Sequence, residues 1–241
     1  MTGNTLYIVI GAVAVLFAAY LLVLSRYMKK RTAGQLAEFS KGHSAQAPSE
    51  QQKRLLVFGA ILARHRGEPL LSIVPKSSLD PYRHGLKTQW DIDNADDARA
   101  VLHDLLQLQR SSTFDPMLQQ PSGEVLAFQK AVGKGLKLDL AQVQQTRSAY
   151  AWDLARAASL GKWCYWCGYL GEDETWQLFE AIATQAGRLG SGWRDYTVSF
   201  LVGRCMQGFD LDDVIIEASQ LLAGKGPGQD LDVYARFPFK G

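Results

Sequence analysis

The chain has 241 residues, of which 26 are Lys or Arg and 24 are Asp or Glu, so its formal net charge is +2. Four of the positive charges, Arg26, Lys29, Lys30 and Arg31, lie close together after an apolar segment; without them the chain has 22 basic and 24 acidic residues, a net charge of −2. This balance excludes sequence-independent binding to nucleic acid, which depends on clustered Lys and Arg that neutralise phosphates.

Residues 6–24 form an apolar segment without a charged side chain. A helix of this length reaches about 28 Å at about 1.5 Å per residue, close to the thickness of the hydrocarbon core of a bilayer. A cleaved secretory signal would instead have a basic region before a shorter apolar stretch, whereas residues 1–5 carry no charged side chain. We therefore predict a single transmembrane helix within a membrane anchor over residues 1–31.

The four basic residues after the apolar segment predict its orientation and its lipid contacts. Lys and Arg are retained on the cytoplasmic side of a membrane, which favours an outside N-terminus and a cytoplasmic body. Anionic lipid headgroups are the expected partners of these charges. Gly11, Ala14 and Ala18 form a stripe of small residues, which predicts either a weak homodimer through the anchor or ordinary contact with lipid.

After the anchor, the sequence predicts a linker, one helical domain and a tail. The linker covers residues 32–50 and consists mainly of small and polar residues, with a short helical piece predicted at residues 35–39. The α-helical domain covers residues 51–223, and an extended tail covers residues 224–241. We expect Tyr234, Phe237 and Phe239 of this tail to lie in a groove on the domain.

Apolar side chains recur at three- and four-residue spacing along most of the domain, which is typical of amphipathic helices. Residues 68–89 contain prolines and predict an irregular connection. Because no segment shows the alternation of a strand, the predicted fold class is all-α, with one compact multi-helix domain. Helices are predicted at about 51–66, 95–110, 124–132, 141–169, 172–188, 191–206 and 210–222.

The densest pattern in the sequence is an aromatic block, since five of the six tryptophans lie between Trp152 and Trp193. Trp152, Arg156, Ser159, Trp163 and Trp166 recur every three or four residues and therefore share one helical face. Asp153 and Arg156 are three residues apart on the same helix and can form an ion pair. Bulky rings on one face require a surface that packs against them.

This block resembles a bacterial family known only as domain of unknown function 1266. The resemblance covers about residues 90–208. It implies an α-helical cytoplasmic domain, brings no catalytic residues to transfer, and identifies the predicted membrane as the bacterial inner membrane. Its motifs are Trp152-Asp153-Leu-Ala-Arg156, Gly168-Tyr169-Leu with Glu172, Trp176, Trp193 with Tyr196, and Gly203-Arg204.

The cysteines predict structural thiols rather than a metal or redox site. Cys164 and Cys167 are three residues apart, but Zn²⁺ needs four ligands and no second Cys or His pair has the required spacing. The three cysteines of the chain fit a reducing compartment. No cofactor motif and no catalytic constellation is visible, so we expect no metal and no cofactor and favour a function other than catalysis.

Asp153, Arg156, Trp193 and Arg204 are the candidate site residues, and they leave two functions open. The first, which the absence of a catalytic constellation favours, is a membrane-tethered cytoplasmic module that binds another protein. The second is a small-ligand-binding protein or an enzyme with a polar pocket around Asp153 and Arg156. A closed ion pair in a dry core favours the first function, and an open pocket beside the pair favours the second.

Overall fold

The computed structural model describes residues 3–43 and 47–240, apart from the side chains of residues 3–6, 8, 9, 11, 12 and 213. Within this part of the chain, helices are the only regular secondary structure, which confirms the predicted all-α fold class. The helices are α1 (Gly3–Gly42), α2 (Glu50–Leu56), α3 (Ala60–His65), α4 (Asp80–Trp90), α5 (Ala95–Leu106), α6 (Asp115–Gln119), α7 (Gly123–Leu136), α8 (Leu140–Gln144), α9 (Tyr150–Cys167), α10 (Glu172–Leu189), α11 (Trp193–Met206), α12 (Asp212–Ala223) and α13 (Val233–Arg236).

Helix α1 belongs to the first of two units, together with residues Lys76–Leu79. The large apolar side chains between Val13 and Met28 are exposed along it. Among the residues that the structure describes, no helix combines the length and the apolar content that crossing a membrane requires. The predicted anchor over residues 1–31 lies partly outside the described part of the chain, since it includes residues 1 and 2 and the side chains of residues 3–6, 8, 9, 11 and 12.

A short helical piece was predicted only at residues 35–39 of the linker, but all of residues 32–42 continue helix α1 to Gly42, while residues 44–46 of the linker lie outside the described residues. The run from Gln35 to Glu38 consists of good helix formers, and the first proline after it is Pro48. A single glycine inside a helix costs only about 1 kcal/mol relative to alanine, so Gly34 does not end it. The side chain of Gln35 accepts hydrogen bonds from Ser78 and from the backbone N–H of Leu79, at 2.9 and 3.0 Å, within the same unit.

The second unit, Gln46–Pro75 and Asp80–Gly241, is built around helix α9. Every residue of α9 from Tyr150 to Trp166 is buried, and the helix packs chiefly against α5, α10 and α11. Its buried charged side chains, Asp153, Arg156 and Lys162, are held in ion pairs, as buried charges require. Close packing depends on glycine at the crossing of α9 and α11, because a methyl group on Gly203 would lie 2.6 Å from Cβ of Trp152.

The structure has a helix where the sequence predicted an irregular connection at residues 68–89. Helix α4 begins at Asp80, whose negative charge suits the positive end of a helix dipole. Pro81 follows in the first turn, where a missing N–H removes no helical hydrogen bond. Prolines were therefore a misleading sign of irregular structure here. The run expected at 141–169 is also divided, into α8 and α9.

The tail packs into the second unit through its aromatic side chains. The ring of Tyr234, in the short helix α13, stacks on that of Trp193 with centroids 4.5 Å apart and planes 5° apart. The indole N–H of Trp193 donates to the carbonyl oxygen of Phe237 at 2.8 Å. Phe237 and Phe239 are buried, and the ring of Phe239 lies 5.0 Å from that of Trp193. The tail therefore contributes to the core.

Candidate functional site

One face of helix α9 forms the floor of an open cleft in the second unit. The side chains that line this floor are Trp152, Arg156, Ser159, Leu160 and Trp163, at positions that share one helical face. The cleft has a volume of about 400 Å³. Pockets for small molecules measure about 300–1,000 Å³ and are mostly apolar with a few polar groups, so the cleft has the size and lining of a ligand site.

Residues from other segments form the sides of the cleft. Arg66 follows α3, and Trp90 is the last residue of α4. Arg204 lies on α11, and Gln207 and Phe209 follow that helix. The cleft is therefore assembled from segments that are distant in the sequence.

The Asp153 carboxylate holds Arg156 from behind the cleft. It is fully buried and forms an ion pair with Nη2 of Arg156. Its second oxygen accepts the backbone N–H groups of Arg110 and Ser111, at 3.2 and 2.8 Å. Nε of Arg156 donates to the carbonyl oxygen of Trp152 at 3.2 Å. Asp153 thus fixes the Arg156 guanidinium, which lines the cleft, while Asp153 does not line it.

Two guanidinium groups lie over the aromatic walls of the cleft. The Cζ atom of Arg156 lies 4.6 Å from the ring centroid of Trp152 and 5.5 Å from that of Trp90. That of Arg66 lies 4.1 Å from the ring centroid of Trp163. These are cation–π distances, at which the negative face of a ring attracts the cation. Burial lowers the pKa of both arginines, which nevertheless stay protonated at neutral pH because a guanidinium titrates far above it.

Arg204 adds a third positive charge and is held by the loop after α11. Its Nε donates to the carbonyl oxygen of Asp210 at 2.6 Å, and its Nη2 lies 3.6 Å from the Asp210 carboxylate. The guanidinium lies over the ring of Phe209, with Cζ 5.4 Å from the centroid. Arg204 is thereby held at the edge of the cleft.

Several polar groups of the cleft have unused hydrogen-bonding capacity within the described part of the chain. Among the described residues, the guanidinium of Arg66 has a cation–π contact but no hydrogen-bond partner, and Nη1 of Arg156 has none either. Ser159 is 5% exposed, yet its hydroxyl makes no hydrogen bond with a described residue. The described lining carries three guanidinium groups and no carboxylate. Asp153, Asp210 and Glu68 lie beside these guanidinium groups outside the lining and offset part of their charge. The N–H groups that they leave unbonded can donate to a carboxylate or phosphate.

A buried ion pair that sequence reasoning did not anticipate supports the cleft wall at Trp163. Nζ of Lys162 lies 3.5 Å from Oε2 of Glu68 and donates to the carbonyl oxygen of Pro69 at 2.8 Å. The other carboxylate oxygen of Glu68 accepts the indole N–H of Trp163 at 2.9 Å. Desolvation raises the pKa of Glu68 and lowers that of Lys162. The positive charge of Lys162 opposes the shift at Glu68, and the negative charge of Glu68 opposes the shift at Lys162.

The four candidate residues separate in the structure. Asp153 and Arg156 form the predicted ion pair, and Arg156 and Arg204 line the same cleft. Trp193 instead packs with the tail and does not line the cleft. It lies three residues before Tyr196 on the same helical face, and Tyr196 is fully buried and edge-on to Trp193.

The cysteines lie in apolar surroundings. Cys164 and Cys205 are buried and Cys167 is partly buried, all three as free thiols. Burial raises the pKa of Cys164 to about 12 and those of Cys167 and Cys205 to about 11. Thiols with such pKa values are poor nucleophiles at neutral pH. Within the described ranges, no three His, Cys, Asp or Glu side chains come together in a group that could hold a metal ion.

Residues 85–221 match the family described as "Protein of unknown function (DUF1266)". This match covers more than half of the chain. The chain belongs to the DUF1266 family. This confirms the resemblance drawn from the aromatic block. The matched region is longer than the predicted one, about residues 90–208, at both ends. No curated protein and no solved structure matches the chain significantly.

The DUF1266 region supplies most of the cleft but not all of it. Trp90, Arg156, Arg204 and Phe209 lie within residues 85–221, whereas Arg66 precedes them. A contribution from outside the matched region explains why the aromatic block alone did not indicate Arg66. The Arg66 side chain reaches the block only through the packing of α3 against α9.

Proposed function

We propose that this DUF1266 protein is a ligand-binding protein whose cleft takes a small acidic molecule. The observation that carries the proposal is the open cleft beside the Asp153–Arg156 pair, lined by three guanidinium groups. An open pocket at this pair favours ligand binding over a purely structural ion pair. An aromatic ring, an indole for Arg66 and Arg156 and a phenyl for Arg204, limits the access of water to one side of each guanidinium, which strengthens its attraction for an anion.

Titration calorimetry of the full-length chain with inorganic pyrophosphate, in a non-ionic detergent, tests this proposal. Pyrophosphate has no ring, so it probes the guanidinium groups alone. We expect it to bind, and we expect Arg66→Gln or Arg204→Gln to weaken binding about tenfold or more, since a hydrogen bond to a charged group contributes about 1.5–3 kcal/mol.

Arg99→Gln is the matched control for this titration. Arg99 lies on α5 outside the cleft and pairs with Glu174 at 2.7 Å, with half of its side chain exposed. Pyrophosphate should bind this variant as it binds the unmodified chain. Absence of binding to the unmodified chain, or an equal loss in the Arg99 variant, would contradict the proposal.

The proposal also includes a membrane anchor at residues 6–24, with the domain on the cytoplasmic face of the bacterial inner membrane. Its support is the uncharged apolar sequence, the four basic residues that follow it, and the exposed apolar side chains of α1 between Val13 and Met28. The four basic residues would contact anionic headgroups, at about 1 kcal/mol each. A protein partner and a homodimer through the anchor stay predictions.

Extraction of membranes with alkaline carbonate tests the anchor. We expect the unmodified chain to stay in the membrane fraction and the double variant Phe17→Lys and Leu21→Lys to be released, because a Lys at the centre of a transmembrane helix costs about 2.5–3.5 kcal/mol. Glu38→Lys reverses a charge on the same helix outside the apolar segment and should leave the chain in the membrane. Extraction of the unmodified chain would refute the anchor.

A further inference from the structure

The walls of the cleft provide flat surfaces as well as positive charge. Trp90, Trp152 and Trp163 line it, and the Cζ atom of Arg66 lies over the indole of Trp163, 4.1 Å from the ring centroid. A guanidinium that rests on an aromatic ring has a second face, on which a flat unsaturated group can stack. An apolar ligand without a flat group could not stack on these surfaces.

The Ser159 hydroxyl provides a separate indication of what the cleft takes. A serine inside a helix can bond to the carbonyl oxygen four residues earlier, but Ser159 has no such bond and is nevertheless 5% exposed. The Ser159 oxygen is not among the side-chain atoms of the described residues that are buried without a partner, so it is open to the cleft. A polar group of a ligand in the cleft can therefore bond to it.

We infer that the ligand of this cleft carries a flat unsaturated ring joined to a phosphate or carboxylate group. The inference rests on the proposed function and adds the class of molecule to it. The acidic group binds the spare N–H groups of Arg66 and Arg156, with Arg204 at the edge of the cleft. The ring lies against the indole wall, and a polar atom on its edge bonds to Ser159.

A panel of four probes, titrated into the full-length chain, tests the inference. Adenosine monophosphate carries a ring and a phosphate, and indole-3-acetate carries a ring and a carboxylate. Ribose 5-phosphate has the phosphate alone, and adenosine has the ring alone. We expect one of the first two probes to bind at least about tenfold more tightly than both of the others, since stacking of one base contributes about 1–3 kcal/mol.

The outcomes separate this inference from the proposed function. If ribose 5-phosphate binds as tightly as both ring-bearing acids, the ring contributes nothing to binding. This inference is then overturned, while the proposed binding of an acidic ligand stands. If neither pyrophosphate nor any acid of the panel binds, both are overturned. Tighter binding of adenosine monophosphate than of indole-3-acetate identifies a phosphate ligand, and the reverse identifies a carboxylate.

Ser159→Ala tests the contact with the ring. The substitution removes a hydroxyl without a bonded partner, so the urea midpoint of unfolding should not fall. Affinity for the better ring-bearing acid should fall about three- to tenfold, as expected for one hydrogen bond, while affinity for pyrophosphate stays the same. Ser112→Ala, at an exposed serine outside the cleft, is the control. Unchanged affinity in the Ser159 variant would overturn this contact.

Discussion

Asp153→Asn removes the charge that holds the Arg156 guanidinium, and its effect on stability can be worked out from the contacts. Asp153 is fully buried and Arg156 is 9% exposed, and breaking a buried ion pair costs about 3–5 kcal/mol. The variant keeps an oxygen for the backbone N–H of Ser111, and Arg156 keeps its bond to the Trp152 carbonyl. We therefore expect the lower end of this range, a loss of about 3 kcal/mol.

Urea unfolding followed by tryptophan fluorescence measures this loss. All six tryptophans lie in the second unit, so the signal reports that unit and not α1. A lower midpoint with an unchanged m-value indicates lost stability. Glu174→Gln is the control: it breaks an ion pair whose side chains are 37% and 52% exposed, which should cost at most about 1 kcal/mol.

Equal effects of the Asp153 and Glu174 variants would refute this reasoning. A double variant, Asp153→Leu with Arg156→Met, then separates stability from binding. Replacing both members of a buried pair by apolar residues is often neutral or stabilising, so the double variant should recover much of the lost stability. It should still bind pyrophosphate more weakly than the unmodified chain, because Arg156 is missing.

Two further predictions concern packing and the thiols. In the same urea unfolding assay, Gly203→Ala should destabilise the chain by about 1–3 kcal/mol because its methyl group would lie 2.6 Å from Cβ of Trp152. Gly187→Ala, in α10 and with no neighbour within 4 Å, should stabilise it by about 0.5–1 kcal/mol. Iodoacetamide should label Cys164 slowly at pH 8 and rapidly in urea; rapid labelling of the folded chain would contradict its raised pKa. The pKa of Cys164 in the folded chain, about 12, exceeds the ordinary 9.0. The protonated thiol therefore contributes its full stability below pH 9, and this contribution is lost as the pH rises towards 12. The urea midpoint should fall over that interval.

The all-α fold and the α9 face of the cleft could be predicted because both depend on local spacing. Trp152, Arg156, Ser159 and Trp163 recur at helical intervals, and the structure has all four on the floor of the cleft. The rest of the cleft depends on tertiary packing. Arg66 lies far from this helix in the sequence, so no spacing rule connects it to Trp163.

Local signals also misled where a second physical effect outweighed them. Pro81 suggested an irregular connection, but a proline in the first turn of a helix removes no hydrogen bond, and α4 forms. Trp193 was grouped with Arg204 because both belong to the family motifs. The structure separates them, since the tail covers Trp193 through Tyr234 and Phe237. The sequence of the tail shows aromatic residues but not their partners.

The indole N–H resonances of the six tryptophans, recorded on the full-length chain with ¹⁵N-labelled tryptophan, test the ligand-binding cleft most directly. Trp90, Trp152 and Trp163 line the cleft, and the other three tryptophans do not. During a titration with pyrophosphate, we expect the three cleft resonances to shift together in a saturable manner while the other three stay in place. Shifts confined to the other three resonances, or no shift at any concentration tested, would contradict the account.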